Sequence, residues 1–125
     1  MQIKTDTKEK FHVITVKESR LSASMTDDLT ECLVAYLQKD TKNLVLVLKE
    51  VDSVDLAIAK KLVALQQVFN EAGASFVICE LQQGVEDQLD KEELLELLNI
   101  TPTESEAWDI VQMEEIEREM FGDEI

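Results

Sequence analysis

Hydrophobic positions near the start of the chain alternate with polar ones, which is typical of strands. Phe11, Val13 and the residues that follow show this alternation, and residues 1–7 precede them across the polar segment 8–10. A short polar segment between two strand-like runs predicts a hairpin. We therefore expect the chain to open with two antiparallel strands.

A helical rhythm follows this hairpin. Ser24 is in position to cap a helix whose first turn carries Asp27 and Asp28. The apolar positions of this first helix recur at intervals of three and four residues: Leu29, Cys32, Leu33, Tyr36 and Leu37.

Residues 44–48 are apolar without interruption, and a strand of this kind must be covered on both faces. It is therefore predicted to lie at the centre of the sheet. A second helix is predicted over residues 56–72, ending at Gly73, and residues 76–79 form the next apolar run. A strand, a helix and a second strand form a βαβ unit with parallel strands, so the sheet is predicted to be mixed.

The last third of the chain is predicted to hold a broken helical region over residues 85–98, an edge strand at residues 100–101 and a final helix. Thr103 and Glu106 have the spacing of a capping box for that helix. Its apolar stripe favours a core-facing surface, although its place beyond the last strand keeps an interface as the alternative. The stripe comprises Met113, Ile116, Met120 and Phe121.

Length and composition favour a single domain. The chain has 125 residues, 45% of them hydrophobic, with only 3 Gly and 1 Pro to form linkers. The expected fold is one α/β domain with a mixed sheet of four to five strands and about four helices. We assign residues 1–112 to this domain and residues 113–125 to an acidic helical extension packed on it or extending from it.

The charge restricts the partners. Asp and Glu number 27 against 12 Lys and Arg, and the formal charge of -15 repels nucleic acid and anionic membrane surfaces. The N-terminus lacks the apolar segment of a secretory signal, so a cytoplasmic location is expected. Cys32 and Cys79 stand apart in apolar patterns and are expected to be buried free thiols.

Few residues could support catalysis or a cofactor. His12 is the only histidine, and its strand position favours an ordinary surface or edge side chain. The three glycines fit neither a P-loop nor a dinucleotide-binding motif, and no Cys or His has metal-ligand spacing. We therefore expect no metal, no cofactor and no enzymatic activity. The weak catalytic alternative uses Asp52 and Asp55 as acid and base.

The turn between the central strand and the second helix is the candidate site for binding a partner. Parallel sheets meet ligands and partners at the carboxyl ends of their strands, where a helix also begins. We expect this turn and the start of the helix to carry the contact, although Ser53 or Asp55 could simply cap the helix. The candidate residues are Asp52, Ser53, Asp55, Leu56 and Ala57.

The order of elements around this turn resembles the STAS domain of bacterial anti-sigma factor antagonists, over about residues 3–112. In that family an Asp-Ser-Ser/Thr-Gly motif opens the second helix. The spacing from residues 44–48 to Gly73 fits without gaps when Asp55 takes the place of the motif's aspartate. The phosphorylated hydroxyl of the family is then replaced by the methyl group of Ala57. A shift of three residues restores a serine at Ser53, a second candidate for phosphorylation, but it requires compensating gaps.

The resemblance implies a regulatory module in bacterial transcription that docks on an anti-sigma factor or a kinase-like regulatory protein, without phosphorylation at residue 57. One alternative is a subunit or ligand sensor of a larger assembly, which would contact its partners through residues 113–121. The oligomeric state stays open, with a homodimer as one alternative.

Overall fold

The computed structural model describes residues 1–122, which form strands and helices in alternation. The strands are β1 (Ile3–Thr7), β2 (His12–Val16), β3 (Arg20–Leu21), β4 (Leu44–Val47), β5 (Ser53–Val54), β6 (Phe76–Cys79) and β7 (Ile100–Thr101). The α-helices are α1 (Thr26–Val34), α2 (Leu56–Glu71), α3 (Gln83–Lys91) and α4 (Glu104–Gly122). Short 3-10 turns cover Ala23–Met25, Ala35–Gln38 and Leu95–Leu97.

The main sheet of the described chain has five strands in the order β1-β2-β4-β6-β7. β1 pairs with β2 in the antiparallel direction, and every other neighbouring pair is parallel. The predicted hairpin, the mixed sheet and the edge position of β7 are confirmed. β4 is the third of the five strands, as its uninterrupted apolar sequence predicted.

The two faces of β4 contribute to two different layers of the core. Leu44 and Leu46 belong to a cluster with α1, α2 and α3, whereas Val45 and Val47 belong to a second cluster beneath α4. Successive side chains of a strand point to opposite faces. The sheet is therefore covered on both sides, and this is why β4 has no polar position.

The start of the first helix differs from the prediction. Ser24 lies inside the 3-10 turn, and the residue before α1 is Met25, which has no side-chain oxygen to cap the helix. The N–H group of Ala23 instead donates a hydrogen bond of 2.7 Å to the carboxylate of Asp55. The carboxylate of a residue distant in sequence thus accepts a hydrogen bond from the backbone at the entrance of this helix. No local sequence pattern could reveal such a contact.

His12 is buried rather than exposed, with 5% of its surface accessible, because β2 lies between β1 and β4. Its Nε2 lies 2.8 Å from the carbonyl oxygen of Thr41, and its Nδ1 lies 3.1 Å from Oγ1 of Thr7. A carbonyl can only accept, so Nε2 donates to Thr41, and in a neutral imidazole Nδ1 then accepts from the threonine hydroxyl. Both ring nitrogens have structural partners, and the prediction of a surface side chain is wrong.

The two cysteines are free, as predicted, but only Cys79 is fully buried and Cys32 is partly exposed. Burial raises the pKa of the Cys79 thiol to about 12, with a further contribution from Glu80. Burial also raises the pKa of Cys32. Both thiols therefore stay protonated at neutral pH.

The final helix begins where the sequence predicted. The hydroxyl oxygen of Thr103 accepts a hydrogen bond of 3.2 Å from the N–H group of Glu106. α4 then runs without interruption across residues 112 and 113 and packs on the sheet through Ala107 and Val111.

The apolar stripe of α4 does not face the core, which corrects the favoured interpretation of its sequence. Met113, Ile116 and Met120 are 58%, 57% and 62% exposed. They lie on the side of the helix opposite Ala107 and Val111. The side chain of Phe121, the fourth predicted member, lies outside the described residues.

Candidate partner-binding corner

The chain turns sharply between β4 and α2, at the carboxyl end of the central strand. Val51 and Val54 point into the core and are 0% and 2% exposed. Asp52, Leu56 and Ala57 face outward, and Leu56 is 40% exposed although it is large and apolar. We call residues 52–57 the corner. The buried Val51 and Val54 fix the backbone, and the outward side chains of the corner form a surface.

A short strand pair braces the corner against the segment before α1. β3 and β5 are parallel, with Arg20 opposite Ser53 and Leu21 opposite Val54. The N–H group of Asp52 donates to the carbonyl of Ser19 at 2.8 Å, and that of Asp55 donates to Leu21 at 2.9 Å. Sequence patterns did not reveal this pair, because two residues are too few to show any period.

Asp55 occupies the N-cap position of α2, but its side chain does not cap that helix. Its carboxylate accepts from the N–H group of Ala23 at 2.7 Å and from Nη2 of Arg20 at 2.9 Å. The hydrogen bond from Ala23, followed by that from Arg20, lowers the pKa of Asp55 below its usual range. The capping role proposed for Asp55 is therefore replaced by a brace between the starts of α1 and α2.

The other capping candidate, Ser53, lies within β5 and is partly buried. The carbonyl of the next residue, Val54, accepts a hydrogen bond from Nε2 of Gln88 on α3. Gln82, the residue before α3, donates from Nε2 to the carbonyl of Lys49 at 3.0 Å. The corner is thus held on both sides, by β3 and by α3.

The structure brings the five predicted residues into one corner but gives them different roles. Asp52, Leu56 and Ala57 offer their side chains to solvent, Ser53 is partly accessible, and Asp55 is engaged in its ion pair. Arg20, which sequence analysis missed, lies at the edge of the same surface and is largely exposed. The only feature of the sequence that could have pointed to Arg20 is its position directly before a leucine, Leu21, in a polar segment.

Asp55 does not have the properties of a general acid. A general acid must hold a proton near neutral pH, which requires a raised pKa, whereas that of Asp55 is lowered. Within residues 1–122, moreover, no three His, Cys, Asp or Glu side chains are grouped closely enough to hold a metal ion.

The family model of the STAS domain matches residues 2–107 of the sequence. The chain belongs to the STAS domain family. This confirms the resemblance drawn from the order of elements. No curated protein sequence matches this chain closely enough to count as a relative.

Solved structures share the fold at low sequence identity. A putative anti-sigma factor antagonist from Thermotoga maritima has 20% identity and a TM-score of 0.74, covering 88% of this chain and 94% of its own. An anti-sigma factor antagonist (STAS) domain protein from Planctomyces limnophilus has 17% identity and a TM-score of 0.76, covering 88% of this chain and 97% of its own. This chain thus shares its fold with both of these proteins.

The fold also matches part of a much larger protein. The murine anion transporter Solute Carrier 26 family member A9 has 18% identity and a TM-score of 0.70, over 83% of this chain but only 18% of the transporter. In this chain, no helix among residues 1–122 combines the length and apolar character needed to cross a membrane.

Proposed function

We propose that this STAS domain is a bacterial anti-sigma factor antagonist that docks through the corner on an anti-sigma factor or a kinase-like regulatory protein. The observation that carries the proposal is the exposure of Leu56 and Ala57 on a backbone braced from two sides. A rigid surface loses little conformational entropy on binding, so its contacts contribute more fully to affinity. The antagonist structures that share the fold support the choice of partner class.

Docking in this protein is not switched by phosphate at residue 57. A phosphoserine would add nearly two negative charges to the contact surface and disrupt docking. Ala57 has a methyl group and offers no oxygen to phosphorylate. Ser53 retains a hydroxyl, but its backbone is paired with Arg20 and its side chain is only partly accessible. The domain therefore either stays competent to bind its partner or is regulated by a mechanism other than phosphorylation of residue 57.

The module acts by binding rather than catalysis. Docking requires only shape and charge at the corner, and the ion-paired carboxylate of Asp55 contributes by holding that shape. The proposal includes no cofactor and assigns the protein to the cytoplasm, where sigma factors and their regulators act.

The test is affinity purification of the full chain from its own cells, with identification of the bound protein. We expect an anti-sigma factor or kinase-like protein, whose affinity for Ala57→Glu falls by about 30-fold or more because a charge is buried in the contact. Glutamate is favourable in the first turn of a helix, so this variant should fold normally. Ala64→Glu is the matched control, because Ala64 is also exposed on α2 but lies farther along the helix.

The control should bind like the unmodified chain. Equal losses in both variants, or none in Ala57→Glu, would place the contact elsewhere. Incubation of the complex with labelled ATP should leave the corner without phosphate, whereas stoichiometric phosphorylation of Ser53 would contradict the unswitched form of the proposal.

A further inference from the structure

The outer side of α4 carries an apolar surface that nothing in the described chain covers. Met113, Ile116 and Met120 are each more than half exposed. Their spacing of three and four residues places them in one row along the helix. We call these three residues the α4 stripe. It lies beyond residues 2–107, which match the STAS family model, so the family match does not account for it.

Polar contacts on the inner side of α4 fix the direction in which the stripe points. Arg118 donates from Nη2 to Oγ of Ser75 and to Oδ1 of Asn43, each at 3.2 Å. Glu115 accepts from Nδ2 of Asn43 at 2.8 Å. Because Asn43 and Ser75 directly precede β4 and β6, these contacts anchor α4 to the amino ends of the parallel strands. The helix cannot rotate the stripe toward the core without breaking them.

Acidic side chains border the stripe. Asp109 is one turn before Met113, and Glu117 and Glu119 flank Met120, all exposed. A second copy of the chain would bring the same carboxylates together and would add its own charge of -15. An anionic membrane is repelled for the same reason. The complementary surface has an apolar centre with lysine or arginine around it.

The α4 stripe and the corner lie on different sides of the molecule. α2 begins at the corner and covers one face of the sheet, whereas α4 covers the other face. The corner follows the carboxyl end of β4, and the anchors of α4 lie at its amino end. A partner on the stripe would therefore leave the corner accessible.

We propose that the α4 stripe binds an amphipathic segment of a second protein, with an apolar face and a basic border. The stripe supplies the apolar contacts, and Asp109, Glu117 and Glu119 pair with the basic residues around them. This is a second interaction surface, separate from the proposed docking corner. It gives the STAS domain the geometry of an adaptor that holds two proteins at once.

The test uses the full-length chain and a synthetic amphipathic helix of leucine and lysine as the probe, with binding measured by calorimetry. We expect saturable one-to-one binding that weakens with salt. The triple variant Met113→Gln, Ile116→Gln, Met120→Gln keeps every charge and should bind the probe at least about tenfold more weakly. The double variant Val68→Gln, Leu97→Gln removes exposed apolar side chains elsewhere and is the matched control. Its affinity should stay unchanged.

Three results would overturn the proposal. Unchanged affinity of the triple variant would show that charge alone attracts the probe. Equal binding of a probe with glutamate in place of lysine would show that the acidic border selects nothing. Self-association of the chain that the triple variant abolishes would identify a second copy as the occupant. The corner variant Ala57→Glu should bind the probe normally, so this test is independent of the proposed antagonist function.

Discussion

Asp55 shows how a single side chain can connect two parts of the corner. It stands at the start of α2, yet its carboxylate accepts hydrogen bonds from Ala23 and Arg20, which precede α1. The two contacts join segments more than thirty residues apart in sequence. Their benefit depends on the ionised carboxylate, because a charged acceptor forms stronger hydrogen bonds than a neutral one.

Asp55→Asn should lower the stability of the domain at neutral pH. The pKa of Asp55 is lower in the folded chain than in the unfolded one, so its contribution is fully present above the unfolded value. As the pH falls below about 4, protonation removes this contribution, and the variant and the unmodified chain should converge. Urea midpoints measured from pH 7 down to pH 3 test this.

Asp52→Asn is the control, since its side chain is exposed and lies in the same corner. A constant difference between Asp55→Asn and the unmodified chain at every pH would mean that the carboxylate's charge is unimportant to the brace.

At the scale of elements, α4 is held by two unlike kinds of contact. Its first half packs apolar side chains, Ala107 and Val111, on the sheet. Its second half is held by polar contacts centred on Asn43, which is 4% exposed. The side-chain oxygen of Asn43 also accepts from the N–H group of Ser75 at 2.8 Å. This amide therefore joins β4, β6 and α4.

Asn43→Ala should destabilise the domain by roughly 1–3 kcal/mol, because it leaves the buried N–H group of Ser75 without its partner. Chemical denaturation of the variant measures this loss. Asn70→Ala is the matched control, since Asn70 is exposed on α2, and it should change stability by less than about 0.5 kcal/mol. Similar stabilities for the two variants would show that the Asn43 network contributes little.

For the whole molecule, the dominant electrostatic feature is the excess of carboxylates. The formal charge is -15, and the ion pairs of Lys8 with Asp6 and of Lys17 with Glu50 lie at the surface. Exposed pairs of this kind contribute little to stability. Repulsion between the remaining carboxylates therefore opposes the compact state.

Raising sodium chloride from low ionic strength to about 0.15 M, where the screening length is about 8 Å, should raise the melting temperature. Screening weakens the repulsion more in the folded chain, where the charges lie closer together. Scanning calorimetry at several salt concentrations tests this, with choline chloride as the control for effects specific to sodium. A melting temperature that falls with both salts would mean that attractive pairs dominate.

Much of the architecture follows from the sequence alone. Uninterrupted apolar residues at positions 44–48 require a strand covered on both faces, and the helical stripe of residues 56–72 requires a partner layer. These patterns determine the order of the elements, the central strand and the parallel pairing. They also determine the position of the corner, because the chain must turn between that strand and helix.

Tertiary contacts decide what the corner and α4 present to solvent. The ion pair of Asp55, the two-residue strands and the burial of His12 depend on residues distant in sequence, which local periodicity cannot detect. The apolar stripe of α4 has the same period whether it faces the core or solvent. The packing of Ala107 and Val111 and the anchors at Asn43 and Ser75 together turn it outward, because they fix the opposite side of the helix on the sheet.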